Sequence, residues 1–507
     1  MSDLQERVRG IGFRKRLILA IFSAFMTAIS MPGMVSSVFV WFGLVPLLFA
    51  LEGNRSVRSF FFGWIFGVFY MGISTYWLLP TLVKNIALFN NFPPAYGFIA
   101  FILFTIIEGF FFGIFGFFYT FFENRSKNIS VLLRMLSMAS IFVLIEFLRG
   151  YGQLGFTGSR LSDALYDQIG TLQLISITGT FGLTFIIFAI NYLFYTLLRK
   201  KDFKMVLLIS ILVGSTYLAS FLYPYTSTSP TGKRVALGVV QPDITVSQRY
   251  RMNPYEIFKV VHWGIDALAT RTNLVFFPEG TFESEIGNGI YSDLKNLMVQ
   301  KNVNAIIGYP SSKDGKVYNS AGLFDKNGLK AIYSKHILVP FTETLPYPQI
   351  FGAFGFLKLA NFFTPGKDFT IFKVDGVRFA TDICFESYFG WLSRKFTNDG
   401  AQFIVTITDD SWFDQRTALV QHFAQSVMRA VENRKWVVQV ADTGITGLIN
   451  PYGQIIDVLP VHQKCASVFE IYPNDTKTFY DRFGDMILWI SSGLLICEII
   501  LILWRRF

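Results

Sequence analysis

Val377-Arg-Phe-Ala-Thr-Asp-Ile-Cys384-Phe-Glu386 runs from an apolar stretch straight into a thiol followed by a carboxylate. The stretch reads as a buried strand that ends in a turn, and a helix-like segment, 388–397, comes after it. Phe403-Ile-Val-Thr-Ile-Thr408 then reads as the next strand. The same alternation extends both ways. Upstream, Val235-Ala-Leu-Gly-Val-Val240, Leu274-Val-Phe-Phe277 and Asn304-Ala-Ile-Ile-Gly308 have the length and composition of strands. Between the first two, 254–269 carries Ile257, Val260, Val261, Ile265 and Leu268 at helical spacing, with Asn253 placed to cap the helix and Pro254 at its first position. Downstream, a helix over 416–434 precedes Trp436-Val-Val-Gln-Val440. Strands alternating with helices predict an α/β domain over 233–472.

Outside that domain the chain changes character. An ordinary soluble domain is about a quarter charged; here charged residues are 16% and hydrophobic residues 52%, with 57 Phe, many in the first half. A membrane helix needs about 20 mostly apolar residues to cross roughly 30 Å of hydrocarbon. The runs 16–31, 34–52, 59–80, 95–122, 130–149, 170–198, 204–224 and 485–504 are candidate spans, the first two parted by the turn signal Pro32-Gly33. Seven therefore lie in an N-terminal membrane domain, 1–232, and the eighth in a C-terminal segment, 473–507.

Basic residues test that number. Arg14, Lys15 and Arg16 precede the first run, Arg55 and Arg58 follow the second, Arg125 and Lys127 the fourth, Arg199, Lys200, Lys201 and Lys204 the sixth, and Arg505 and Arg506 the last. Eight crossings put all of these on one side, the cytoplasm, together with both termini; the domain 233–472 then faces outward. The net charge of +10 accordingly reads as a topology signal rather than an affinity for nucleic acid. The first run lacks a clear cleavage site and is soon followed by another, so no cleavable signal peptide is expected. Glu108 and Glu146 fall in or near spans, and Arg149 and Arg160 flank an outward loop where they could meet phosphate or anchor at the interface. Three cysteines, Cys384, Cys465 and Cys497, make neither a disulfide framework nor a zinc pattern. His336 and His422 lack metal-ligand spacing as well, and no metal or cofactor is expected.

Three segments carry candidate chemistry. Phe277-Pro278-Glu279-Gly280 sets a carboxylate just past a strand; Tyr333-Ser-Lys335 sets a lysine on a strand with Glu343 in the next loop; Thr381-Asp-Ile-Cys384-Phe-Glu386 sets a thiol at a strand-to-helix turn, where a helix N-terminus would favour the thiolate. Thiol acyl transfer wants a base for the proton and a cation or N–H donors for the oxyanion. Each residue also has an ordinary reading: Cys as a small buried hydrophobe, Glu in a first helical turn, Lys on a solvated strand face. Taken together, in this order, the three are far more specific.

The order Glu279, Lys335, Cys384 resembles the triad of the nitrilase superfamily. The wording P-E, then Y-x-K-x-x-L-V-P-F-x-E-x-x-P, then I-C-x-E is similar to its membrane branch, the apolipoprotein N-acyltransferases, as are Ser411-Trp412-Phe413, Gln421-His422, Arg429-Ala430 and Thr443-Gly444-Ile445-Thr446. The resemblance implies an α-β-β-α sandwich inserted between the seventh and eighth of about eight membrane helices of a bacterial cytoplasmic membrane protein, with the sandwich periplasmic. It also implies a two-step exchange by a monomeric enzyme. Cys384 takes an acyl chain from a membrane phospholipid, with Glu279 as base and Lys335 at the oxyanion; the α-amine of a diacylglyceryl-modified N-terminal cysteine of an apolipoprotein then resolves the thioester. Glu343, Glu386 and Trp412 are expected to support the site, the two glutamates by orienting Lys335 or the nucleophile. The apolar, glycine-interrupted segment 342–366, with Phe351, Phe354 and Phe356, reads either as a packed loop or as an arm resting on the bilayer and gating lipid, the reading preferred here.

Four positions depart from the family pattern: Thr342 stands in place of Gly, Phe385 in place of Tyr, and Asp409 and Asp442 in place of Asn. They leave the triad intact and bear on contacts around it. A membrane-tethered amidase would share the triad but has no need of the spans or the arm. A transporter or scaffold would need no triad.

Overall fold

Glycine, not only greasy bulk, decides how the first half packs. In helix Ser56–Ser74 a Cβ on Gly63 would stand 2.2 Å from the carbonyl oxygen of Phe112, and one on Gly67 would stand 2.7 Å from the Cα of Gly109. Helix Pro94–Arg125 therefore lies backbone against backbone along it, the contact that small residues permit in the absence of a hydrophobic drive between helices. The computed structural model describes residues 12–86, 93–125, 130–200, 203–226, 232–353 and 363–504. They form two compact units, Met1–Thr226 with Phe483–Phe507, and Ser227–Arg482.

In the first unit, five helices among the described residues are long and apolar enough to cross a membrane: Ser56–Ser74, Pro94–Arg125, Val131–Arg149, Ile175–Lys200 and Met486–Trp504. The other three expected spans are helix Phe13–Ala28, helix Phe203–Thr226 and a broken segment. The broken one, expected as a span over 34–52, is a 3-10 turn, Ser37–Trp41, followed by a short helix, Val45–Leu51. Gly43 and Pro46 interrupt it. Seven helical residues rise only about 10 Å, so the segment is a broken rather than a continuous helix. The interrupted backbone is satisfied from a distance: Leu44 N–H donates to Asn191 Oδ1 at 2.9 Å, and Asn191 Nδ2 donates to the Val40 carbonyl at 2.8 Å. Arg149 is buried between Glu108 (3.1 Å) and Glu146 (3.2 Å), and Arg160 is also buried, donating to Thr180 Oγ1 at 3.0 Å. Both guanidinium groups are enclosed by the protein rather than exposed on its surface; burying a guanidinium in an apolar bundle requires such internal partners.

The second unit holds two six-stranded sheets. The first contains β1 (Val235–Gln241), β2 (Leu274–Phe276), β3 (Asn304–Lys313), β4 (Lys316–Asp325), β5 (Gly328–Ser334) and, beyond β1, the last strand β12 (Cys465–Ile471). The second contains β6 (Phe372–Val374), β7 (Val377–Ile383), β8 (Phe403–Thr408), β9 (Trp436–Ala441), β10 (Gly447–Ile449) and β11 (Ile455–Val458). The strands β1, β2 and β3 are parallel, as are β7, β8 and β9, and the flanking strands pair antiparallel. Leu237, Val239, Phe276, Ile306, Phe379, Phe403 and Val438 fill the space between the sheets, with the Phe276 and Phe379 rings 5.4 Å apart.

Helices Pro254–Leu268 and Asn288–Lys301 cover the outer face of the first sheet through Val261, Ile265, Leu294 and Met298. Helix Arg416–Asn433 covers that of the second, where Ser426 Oγ donates to Gln439 Oε1 at 2.7 Å. This is the expected α-β-β-α sandwich. The expected cap is in place: Asn253 Oδ1 accepts from Tyr255 and Glu256 N–H, and Glu256 returns a bond to Asn253 N–H.

Candidate active site

The ends of β2, β5, β7 and β8 deliver one polar group each to a common place. Glu279 follows β2, Lys335 follows β5, Cys384 follows β7 and Asp409 follows β8. Lys335 is 1% exposed, so its ammonium needs compensation within the protein. Its Nζ donates to Glu279 Oε1 at 3.0 Å and to Glu343 Oε1 at 2.9 Å. Asn319, inside β4, donates from Nδ2 to the same two oxygens, at 2.7 and 2.8 Å. The second Glu279 oxygen accepts Asp409 N–H at 3.0 Å, and the second Glu343 oxygen accepts Val339 N–H at 2.8 Å. Burial alone would push the Glu279 carboxyl up, but the Lys335 ammonium, the Asp409 amide and Asn319 outweigh it and hold the group below its ordinary range. Burial works against the ammonium too, and Glu279 and Glu343 more than offset it, pushing Lys335 well up. The pair therefore rests as carboxylate and ammonium.

Cys384 sits at φ 54°, the left-handed region that a side chain other than glycine rarely occupies, at the first residue of a 3-10 turn, Cys384–Tyr388. Glu386 holds that turn. Its carboxylate accepts Ile383 N–H at 2.9 Å, His336 N–H at 2.7 Å, Ile337 N–H at 3.2 Å and the Tyr333 hydroxyl at 2.9 Å. It thus ties the residue before the thiol to the residues just past Lys335. Burial pushes the Glu386 carboxyl up to about 8, against the pull of the Ile383 and His336 amides.

Beneath the turn, His422 faces the Cys384 carbonyl through Nε2 at 3.1 Å and Asp410 through Nδ1 at 2.8 Å. Asp410 outweighs burial there and pushes the imidazole up, and both ring nitrogens face oxygen acceptors. The thiol itself is pushed well up by burial and by Glu279, with Lys335 and Thr408 pulling the other way. The expected thiolate at a helix N-terminus is not what surrounds Cys384. A five-residue 3-10 turn offers little dipole, and burial, followed by the Glu279 carboxylate, dominates. The arrangement is a neutral thiol beside an ionised glutamate and a buried ammonium.

Trp412 lies half-buried in the turn Asp410–Trp412, directly after the Asp409 that contacts Glu279. Phe351 ends the short helix Pro348–Phe351 and meets Phe341 edge-on with ring centroids 5.0 Å apart; Ile350 beside it is 62% exposed. Phe354 and Phe356 lie outside the described residues. His336 stacks between Tyr333 and Phe369, a packing role. Asn319 was not anticipated from sequence. Its one signal is an amide side chain interrupting an otherwise strand-like run, where Asn is disfavoured.

Residues 23–193 match the family described as apolipoprotein N-acyltransferase N-terminal domain, and residues 237–471 match carbon–nitrogen hydrolase. An apolipoprotein N-acyltransferase from Thermotoga maritima is 36% identical over 98% of this chain and 95% of its own length. One from Geobacter metallireducens is 27% identical over 94% and 93%. Among solved structures, an amidase from Nesterenkonia is similar at a TM-score of 0.40 and 18% identity, covering 52% of this chain and 98% of its own. The chain is a membrane protein, and it belongs to the apolipoprotein N-acyltransferase family.

Proposed function

We propose that this chain transfers a fatty acyl group from a membrane phospholipid to the α-amine of the diacylglyceryl-modified N-terminal cysteine of apolipoproteins, by way of a thioester on Cys384. The observation that carries the reading is the buried Glu279–Lys335–Glu343 cluster acting on a neutral thiol held at a strained turn. Glu279 accepts the thiol proton as sulfur attacks the ester carbonyl carbon. Lys335 stabilises the oxyanion. The C–O bond breaks and the lysophospholipid leaves with that proton. The acceptor amine then attacks the thioester, Glu279 takes its proton, and the C–S bond breaks to restore the thiol. Glu343 keeps Lys335 charged and placed; Glu386 fixes the nucleophile's turn.

The catalytic unit lies on the periplasmic side of the bacterial inner membrane, by the distribution of basic residues between spans. Phe351, at the end of helix Pro348–Phe351, meets the incoming lipid, and Trp412 lines the site. Intact-mass analysis of the membrane-purified protein incubated with phospholipid tests the reading. The wild type gains one acyl mass and Cys384→Ala gains none; an unchanged adduct on Cys384→Ala would overturn it.

A further inference from the structure

Three loops, those that follow β2, β8 and β9, meet at one buried guanidinium. Arg249 ends the short helix Val246–Arg249 just after β1, and its side chain is 2% exposed. Its Nε pairs with Glu283 Oε1 at 2.6 Å, its Nη1 with Asp442 Oδ2 at 2.5 Å, and its Nη2 with Asp409 Oδ2. Glu283 lies four residues past Glu279 on the same loop. Asp409 gives its backbone N–H to Glu279 Oε2 at 3.0 Å, while its other carboxylate oxygen is held by Ser411 N–H and Oγ. Asp442 accepts Ile244 N–H at 2.9 Å, which closes the ring back onto the segment that carries Arg249.

We infer that Arg249 is a positioning residue for Glu279, clamping both the loop that carries the base and the loop that donates to it; this rests on the assignment of Glu279 as the base. A planar guanidinium can hold two carboxylates in fixed directions, here Asp442 and Asp409, with Glu283 a close charge contact at its Nε, where an ammonium is a single point of charge. Removing it would leave buried carboxylates unneutralised beside the base. Two of the four departures from the family pattern, Asp409 and Asp442, are both partners of this one cation: burial pushes their carboxyls up and the Arg249 guanidinium pulls them back, so the two extra buried acids near Glu279 come with a cation of their own. The charged and titratable groups around Glu279 are Lys335, Glu343, Cys384, Asp409 and His422, and those around the Arg249 hub include Glu283, Tyr250 and Asp243. Taking away the guanidinium makes Glu279 harder to ionise. The acid limb of the acylation rate, which follows deprotonation of Glu279, then moves to higher pH.

The test uses full-length protein in vesicles of labelled phospholipid. The single-turnover rate of Cys384 acylation is followed against pH and normalised to the final number of loaded sites, so that misfolded protein drops out. Arg249→Met should slow acylation by on the order of a hundredfold at neutral pH and raise the acid limb by about one pH unit. Arg249→Lys keeps the charge but not the fork; it should stay slow while its acid limb returns toward the wild-type position. Wild-type rate and wild-type acid limb per loaded site in both variants, with only fewer sites loaded, would make Arg249 merely structural and overturn the inference. A wild-type protein that never loads Cys384 would instead overturn the acyl-enzyme reading on which it stands.

Discussion

Of the three buried glutamates at this site, the protein treats Glu279 and Glu386 in opposite ways. Glu279 is neutralised by an ammonium and held ionised below its ordinary range. Glu386 has only amide and hydroxyl donors for partners, and burial pushes it up to about 8. A carboxylate that must take a proton needs a counter-charge that keeps it empty beforehand. One that shapes a turn needs many directional donors and no particular charge. Sequence distance tells the two apart poorly, since Glu386 lies two residues from the thiol and Glu279 more than a hundred; the partner set tells them apart at once.

The sharpest way to break this contrast is Lys335→Met. It leaves Glu279 and Glu343 facing each other without their cation, so acyl-enzyme formation should fall by on the order of a thousandfold while Glu279 shifts up. A loss under tenfold in a single-turnover assay would mean that the ammonium is not the discriminating partner. Glu386→Gln should act mainly on stability. The amide keeps one acceptor for His336 and Ile337 but turns an N–H₂ toward Ile383 N–H, at a cost of about 1–3 kcal/mol, read from a thermal melt. A collapse in rate per loaded site with the melt unmoved would instead place Glu386 in the chemistry. The smallest effect belongs to the loop that extends from Glu343: Ile350→Ser with Phe351→Ser should lower acylation from phospholipid vesicles several-fold and leave the melting temperature of the catalytic unit where it was. Equal losses in both would return that segment to simple packing.

Much of the fold was legible because its strands are short, apolar and separated by clear helices. Phe403–Thr408 was read with its observed ends, and Pro254–Leu268 within one residue, thanks to its Asn253 cap. The edge strand β11 escaped, since Ile455–Val458 is exposed throughout and lacks the alternation that marks a half-buried strand, and its neighbour β10, Gly447–Ile449, is only three residues long. The broken segment 37–51 read as continuous because its apolar composition is that of a span. What permits the break is Asn191, well over a hundred residues away. Glu279, Lys335 and Cys384 each follow a strand; Glu279 and Cys384 read that way from sequence, while Lys335 read as part of the strand itself. Asn319 and Arg249 did not stand out, because their importance lies in partners that only the fold brings near: Arg249 reaches Asp442 across 193 positions.

The pairing of β1 with β12 has a consequence for how such a protein comes to exist. The two strands run antiparallel from Val235 opposite Ile471 to Gln241 opposite Cys465, so the polypeptide enters and leaves the sandwich at neighbouring points on one sheet. A module with adjoining ends can be spliced into a turn of a host without prying the host apart. It can equally be excised or re-threaded from a new starting residue. The seam is already hydrogen-bonded along its length, and the insertion closes itself like a stitched buttonhole.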